Sequence, residues 1–183
     1  MTTLKRINGL HHYAYRCRNA EETRSFYEDL LGLPLAHVIQ ADSVPSTGAS
    51  DPYVHLFFEF TDGSYIAFFD LGDETACTPD PETPSWVNHF AMQVGSVAEV
   101  EEWKIRLEAG GLDVVGVTDH EFVKSIYFFD PNGIRLEITC EVIGESERQN
   151  HRNAAAADLK TWTDTRPAPP TEFYRFKNET VDP

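Results

Sequence analysis

Residues Leu10–Leu35 read LHHYAYRCRNAEETRSFYEDLLGLPL, and the prediction of the fold starts from this stretch. It begins with a strand-like run and continues as a helix, because its apolar residues recur at helical spacing before a glycine. A second stretch, NHFAMQVGSVAEVEEWKIRLEAGGLDV at Asn88–Val114, repeats the same order and aligns His89 with His12. The sequence therefore predicts an internal repeat.

Two further strand-like runs follow each copy of this repeat. Tyr53–Phe60 and Tyr65–Phe69 follow the first copy, and Ser125–Phe129 and Ile134–Val142 follow the second. A short turn joins the two runs of each pair. The order of one strand, one helix and further strands occurs twice, which predicts an α+β fold of two tandem modules.

Composition sets the boundaries that we expect within the chain. Module one covers about residues 6–71, an acidic, proline-rich linker covers 72–85, and module two covers about 86–143. These parts form one domain over residues 1–143. Residues 144–183 are predicted to form a C-terminal helix, around Asn153–Trp162, and an extended proline-rich tail.

Charge and cysteine content restrict the class of protein. The 183 residues contain 15 Lys and Arg against 30 Asp and Glu, a formal net charge of −15, and no basic run offers a nucleic-acid or membrane surface. The 3 cysteines are too far apart in sequence to suggest a disulfide framework or a zinc knuckle. With no apolar leader segment, we expect a cytoplasmic protein that binds small molecules or other proteins.

Strand alternation places two histidines and one carboxylate on similar surfaces. In each predicted strand the apolar residues fall on one face, and the small or polar residues fall on the other, which would suit a shared concave surface. His12, His89 and Glu137 all belong to the second kind of face. Two imidazoles and a carboxylate form the facial triad that holds non-haem Fe(II) with positions left open. Taken singly, each of these residues is more often structural or solvated than a metal ligand.

The stretch TDHEFVKSIYFFDPNGIRLE, residues Thr118–Glu137, resembles the type I extradiol ring-cleavage dioxygenase motif. With the repeat, it makes residues 6–143 similar to the vicinal oxygen chelate superfamily, which also includes glyoxalases and bleomycin resistance proteins. The resemblance implies paired βαβββ modules that form a cup-shaped mixed β-sheet with helices outside. It also implies a divalent metal bound by His12, His89 and Glu137, with His120 and Tyr127 as catalytic residues that contact the substrate or oxygen.

The activity implied by this resemblance is an Fe(II)-dependent extradiol-type dioxygenase that cleaves a catechol-like aromatic ring with O2. Mn(II) or another divalent metal is an alternative to Fe(II). The expected partners are a small aromatic diol and O2, and the scaffold makes a homodimer or a higher homo-oligomer plausible.

Two departures from the family pattern bear on this activity. Ser64 occupies the position where ring-cleaving members usually place a catalytic histidine, and His11 or His55 could substitute for it in space. Ala67 occupies the position of a fourth metal ligand in glyoxalase-like relatives, and an alanine cannot bind a metal. The second departure predicts a metal site that stays open.

Three other functions remain in view at this point. The first is another divalent-metal enzyme of the same scaffold: an isomerase, epimerase or lyase, which Ser64 favours. The second is a non-catalytic small-molecule-binding resistance-type protein, which would not need a facial triad. The third is a protein-interaction module, which would explain the charge but not the histidines.

Overall fold

The computed structural model describes residues 6–76 and 82–165. Module one contains β1 (His12–Arg16), α1 (Ala20–Arg24) with a π-helical continuation at Ser25–Leu30, β2 (Leu35–Ala41), β3 (Tyr53–Glu59) and β4 (Tyr65–Asp70). Module two contains β5 (Phe90–Gln93), α2 (Val97–Ala109), β6 (Val115–Asp119), β7 (Val123–Phe129) and β8 (Arg135–Glu141), and it is followed by α3 (Glu145–Thr165).

Each module forms its own four-stranded sheet with the same topology. Sheet one has the strand order β1-β4-β3-β2, and sheet two has the order β5-β8-β7-β6. In both sheets the first strand runs parallel to the last strand of the module, and the other neighbours are antiparallel. The strands β1 and β5 therefore lie at equivalent sheet edges.

Side-chain caps fix where the helices begin. The Asn19 side chain accepts a hydrogen bond from the backbone N–H of Glu22 at 2.9 Å, at the start of α1. Ser96 does the same for Glu99 at 3.2 Å, at the start of α2. A helix begins with unpaired N–H groups, and these side chains satisfy one at each start.

One hydrophobic core includes residues of both sheets and of the helices. Tyr27, which is fully buried, stacks on Phe58 and Phe68 of sheet one, with ring centroids 5.3 and 4.8 Å away. Its neighbour Phe26 lies 6.5 Å from Phe128 of sheet two. The π-helical segment therefore packs on both sheets. Burying each such side chain contributes about 1.5–3 kcal/mol.

The turn between β7 and β8 joins the modules through polar contacts. The Tyr27 hydroxyl donates to the buried Asp130 carboxylate at 3.0 Å. Asn132 donates to the Thr23 hydroxyl at 3.2 Å and accepts a hydrogen bond from the Arg18 backbone at 3.1 Å. This turn therefore ties module two to the helix of module one, as well as joining β7 to β8.

The predicted α+β class, the tandem βαβββ modules and the C-terminal helix are confirmed. The mixed β-sheet is present as two four-stranded sheets. The C-terminal helix begins earlier than the sequence suggested, at Glu145, and Arg148 ties it to Glu141 of β8 at 3.0 Å. The predicted proline-rich tail and part of the predicted linker lie outside the described residues.

No helix within residues 6–76 and 82–165 is long and apolar enough to span a membrane.

Candidate functional site

Strand register defines the surface of sheet two that carries the candidate site. Glu137 lies on β8 between Ala91 of β5 and Tyr127 of β7. Cross-strand neighbours share a face of a sheet, so these side chains point to the same side. Leu136 and Ile138, the residues on either side of Glu137 in β8, are buried in the core. The face that carries Glu137 therefore points away from the core, and we call it the Glu137 face.

His89 and Glu137 form a direct pair on this face. His89 Nε2 lies 2.9 Å from Glu137 Oε2, and Glu137 is only 5% exposed. The other ring nitrogen, His89 Nδ1, donates to the Val87 carbonyl at 3.1 Å. A carbonyl can only accept, so a neutral His89 carries its proton on Nδ1 and directs the lone pair of Nε2 towards the carboxylate.

This arrangement suits a cation between the two side chains. A lone pair and a carboxylate oxygen that face each other leave a place for a positive charge, which a proton or a metal ion can fill. Metal-binding histidines usually donate their second ring N–H to a backbone carbonyl or a carboxylate, as His89 does here. Imidazole and carboxylate donors fit Fe(II), Mn(II) and Zn(II).

His120 and Tyr127 form a second pair beside the first. The Tyr127 hydroxyl lies 2.7 Å from His120 Nε2, and the Tyr127 ring lies 6.0 Å from the His89 ring. Burial, and then the negative charge of Glu137, raise the pKa of Tyr127. The phenol therefore stays protonated at neutral pH and can donate a hydrogen bond. The residues that the sequence motif grouped are brought together by the structure, with His120 exposed and Tyr127 half-buried.

His12 lies on the matching face of sheet one, among other histidines. Its ring is 6.2 Å from that of His55, and its Nδ1 is 2.8 Å from Nδ1 of His11. His11 precedes the first residue of β1, so strand alternation does not determine its direction relative to His12.

His55 is the member of this group with a free ring nitrogen. It is buried, its ring stacks on Phe69 at 3.6 Å, and its Nε2 has no hydrogen-bond partner in the described part of the chain. Burial, and then the positive charges available to His12 and His37, lower the pKa of His55 to about 4. At neutral pH the ring is uncharged, and its free nitrogen is buried on the same face as His12.

Register also explains why the two faces differ in chemistry. Ala67 lies between an alanine of β1 and Phe57 of β3, whereas Glu137 lies between an alanine of β5 and Tyr127 of β7. Ala67 and Phe57 thus occupy in module one the positions of Glu137 and Tyr127 in module two. Module one contributes no carboxylate at this position.

Ser64 is not part of a strand, so strand alternation does not place it on either face. It precedes β4, and its hydroxyl donates to the Asp62 carboxylate at 2.6 Å within the turn. A hydroxyl used in this way caps a turn.

The structure brings four of the five predicted site residues together. His89, Glu137, Tyr127 and His120 share the Glu137 face, while His12 lies with His11 and His55 on sheet one. Within residues 6–76 and 82–165, no group of three or more His, Cys, Asp or Glu side chains is arranged to hold a metal ion. The role of His12 as a third ligand remains a prediction.

The sequence of this chain is similar to a known superfamily and to a plant protein. A sequence model of the Glyoxalase/Bleomycin resistance protein/Dioxygenase superfamily matches residues 9–138. Glyoxylase I 4 of Arabidopsis thaliana is 26% identical in an alignment of 187 positions, which covers 92% of this chain and 92% of that protein.

Two solved structures have the same fold. The fosfomycin resistance protein FosX of Listeria monocytogenes, complexed with Mn(II) and sulfate, is 21% identical with a TM-score of 0.55, and the match covers 79% of this chain and 99% of that one. Lactoylglutathione lyase of Agrobacterium tumefaciens is 22% identical with a TM-score of 0.51, and the match covers 74% of this chain and 96% of that one.

Proposed function

Because the chain belongs to the Glyoxalase/Bleomycin resistance protein/Dioxygenase superfamily, we propose that it is a divalent-metal enzyme that acts on two vicinal oxygens of its substrate. We propose further that it opens a catechol-like ring with O2 and uses Fe(II). The observation that carries the second proposal is the 2.7 Å contact between His120 and Tyr127, next to the His89 and Glu137 pair. The expected substrates are a small aromatic diol and O2.

The metal is assigned to His89, Glu137 and His12. His89 and Glu137 supply an imidazole nitrogen and a carboxylate oxygen whose mutual orientation suits a cation. These residues would hold Fe(II), which would supply a Lewis acid for the two vicinal hydroxyls and a redox centre for the reaction with O2. Mn(II) is an alternative, since the FosX structure contains it.

A second copy of the chain is the proposed source of His12. Both sheets turn one side into the shared core, so the faces that carry His12 and Glu137 both point away from it. His12 and His89 are exposed; His12 begins β1 and His89 immediately precedes β5, and both strands are sheet edges. An exposed strand edge can pair with another chain. Two copies that meet in this way would each give His12 to the His89 and Glu137 pair of the other.

Tyr127 and His120 would act on the oxygens of the substrate. Tyr127 donates its phenolic proton, and His120 holds that phenol in position and can take up or return a proton. Hydrogen-bond donors placed where negative charge develops lower the barrier to reaction. His55 lies on the His12 face, but burial lowers its pKa to about 4 and seals its Nε2, so it is a weak base at neutral pH and a poor replacement for the usual histidine.

A second candidate function is an isomerase or lyase on the same metal. Ser64 holds a turn, so it cannot supply the proton transfer that ring-cleaving members usually assign to this position. The names of two relatives, glyoxylase I and lactoylglutathione lyase, point in the same direction. A binding protein without catalysis is the third candidate, and it requires no metal.

Anaerobic reconstitution with Fe(II) distinguishes these candidates. The protein is mixed with a panel of catechols, O2 is admitted, and oxygen consumption is recorded together with the yellow ring-opened product. We expect uptake that falls by about 100-fold or more in Tyr127→Phe. His151→Ala, on the exposed face of α3, is the matched control and should retain full activity. Bound iron without oxygen uptake would exclude the dioxygenase and would favour the isomerase or lyase.

Mixing two inactive variants tests the origin of His12. His12→Ala and Glu137→Ala are each expected to lose activity. If each site draws His12 from a second copy, dissociating and reassociating the two variants together will restore one intact site per mixed dimer. Recovery of activity supports the shared site, and no recovery in demonstrably mixed dimers places all three ligands in one chain.

A further inference from the structure

Arg135 lies inside the candidate site without a role in the scheme above. It begins β8, two residues before Glu137, so strand alternation places both on the same face. Its cross-strand partner is Phe129, whose side chain is 49% exposed. The Arg135 guanidinium carbon lies 4.3 Å from the centre of the Tyr127 ring. The Glu137 face therefore carries a positive charge over the Tyr127 ring, with the exposed Phe129 on the neighbouring strand.

The charge of Arg135 has no carboxylate partner among the described residues. No ion pair within residues 6–76 and 82–165 includes it, and its Nε is buried without a hydrogen-bond partner. Arg16 and Arg148 also have a buried Nε without a partner, but each pairs with a carboxylate through a terminal nitrogen, which Arg135 does not. In a chain with 30 acidic and 15 basic residues, carboxylates are abundant. The unpaired terminal N–H groups of Arg135 are donors that an anionic ligand can engage.

The chemistry of this position fits an anion attached to a flat ring. A guanidinium is planar and offers two parallel N–H donors, which match the two oxygens of a carboxylate. Its stacking on Tyr127 uses the face of the group and leaves the N–H donors at its edge free. The exposed ring of Phe129 offers an apolar surface on which an aromatic substrate can pack.

We propose that Arg135 is a specificity-determining residue that selects substrates in which a carboxylate is attached to the diol-bearing ring. This inference rests on the proposed function for the assignment of the vicinal oxygens to Glu137 and His89. Arg135 binds the carboxylate, Phe129 contacts the ring, and the ring oxygens face the His89 and Glu137 pair. The substrate class is therefore an aromatic acid rather than a neutral catechol.

A matched pair of ligands tests the charge preference. We would titrate 3,4-dihydroxybenzoate and its neutral isostere 3,4-dihydroxybenzamide into the full chain by calorimetry, with and without Fe(II) under anaerobic conditions. Wild-type protein should bind the acid at least about 10-fold more tightly than the amide, as expected for a charge-assisted hydrogen bond. Arg135→Gln should abolish this difference and leave the affinity for the amide unchanged. Arg135→Lys keeps the charge and should retain part of the preference.

The control and the outcomes separate this inference from the proposed function. Arg148→Gln removes an arginine that pairs with Glu141 and Glu145 outside the site, and it should preserve the full preference. Equal affinities for acid and amide in the wild type, or no binding of either, would overturn the role of Arg135. An equal loss of affinity for both ligands in Arg135→Gln and Arg135→Lys would also overturn this role, because it would indicate that Arg135 is structural. A preference for the acid that depends on Arg135, without oxygen uptake, would contradict the proposed dioxygenase activity and still support the anion-binding role of Arg135.

Discussion

Replacing Tyr27 by Phe removes one hydroxyl from the joint between the modules and leaves the packing of the ring in place. The Asp130 carboxylate accepts four hydrogen bonds, from the Tyr27 hydroxyl at 3.0 Å, the Asn132 backbone at 2.9 Å, the Asn132 side chain at 3.1 Å and the Ile134 backbone at 2.8 Å. The variant loses the first and leaves a buried carboxylate with fewer donors. A hydrogen bond to a charged group is worth about 1.5–3 kcal/mol, which is the expected fall in the free energy of unfolding.

Urea unfolding followed by circular dichroism measures this change in the free energy of unfolding. Two further variants test whether the change comes from the hydrogen bond to Asp130. Tyr65→Phe removes a longer, more exposed contact to Glu59 at 3.3 Å and should cost less than about 0.5 kcal/mol. In an Asp130→Asn background the acceptor is neutral, so Tyr27→Phe should cost only about 0.5–1.5 kcal/mol. A cost equal to that of Tyr65→Phe, or one unaffected by Asp130→Asn, would refute the assignment of this contact as a charge-assisted link between the modules.

Three other substitutions or treatments follow from the packing of single residues. Burial raises the pKa of Asp130. Between a pH of about 4 and the higher pKa of the folded state, the folded chain keeps a proton that the unfolded chain has lost, so wild-type stability falls as pH rises through this range. Urea titrations across the range should show Asp130→Asn gaining stability relative to wild type, and a constant difference would contradict this reasoning. Gly116→Ala should lower the free energy of unfolding by more than about 3 kcal/mol, because φ is +116° and an added Cβ would lie 2.6 Å from the Ser125 carbonyl oxygen. The control Gly133→Ala, with φ of +82° and open space around the added Cβ, should cost about 1 kcal/mol. Equal melting temperatures for the two variants would exclude the steric argument. Burial raises the pKa of Cys17 to about 11, so its alkylation by iodoacetamide at pH 8 should require unfolding. Alkylated Cys17 detected by mass spectrometry in the folded protein would contradict this prediction.

Local patterns predicted the elements that carry the site because the site depends on short-range order. The alternation of residues in β7 and β8 places Tyr127 beside Glu137, and the spacing of the motif brings His120 back to Tyr127 across the turn before β7. The same alternation placed His12 and His89 on equivalent faces of the two modules. These relationships need only the period of a strand and the length of a turn.

Relationships between modules could not be read from those patterns. The contact between Tyr27 and Asp130 joins residues 103 positions apart, and nothing in either local sequence specifies the partner. The turn residues of DPNG have strong local preferences, which explain the turn itself but not its second role as a joint. Whether His12 meets the His89 and Glu137 pair depends likewise on long-range packing.

Arg135 was overlooked for a different reason. Its neighbours in the motif, Gly133 and Glu137, suggested a turn and a ligand, and an arginine at a strand end is usually solvated or ion-paired. Only the structure shows that its guanidinium stacks on Tyr127 and that its Nε lacks a hydrogen-bond partner among the described residues. The signal available from sequence was that residues 135 and 137 share a face.

Metal stoichiometry and affinity test the proposed site most directly. Wild-type protein and the single variants His12→Ala, His89→Ala and Glu137→Ala would be titrated anaerobically with Fe(II) against a competing chelator, with His151→Ala as the control. The account predicts one ion per chain in wild type and control, and an affinity reduced by about 100-fold or more in each of the three variants, with circular dichroism unchanged. Wild-type affinity in any one of the three folded variants would contradict the assignment of that residue as a ligand.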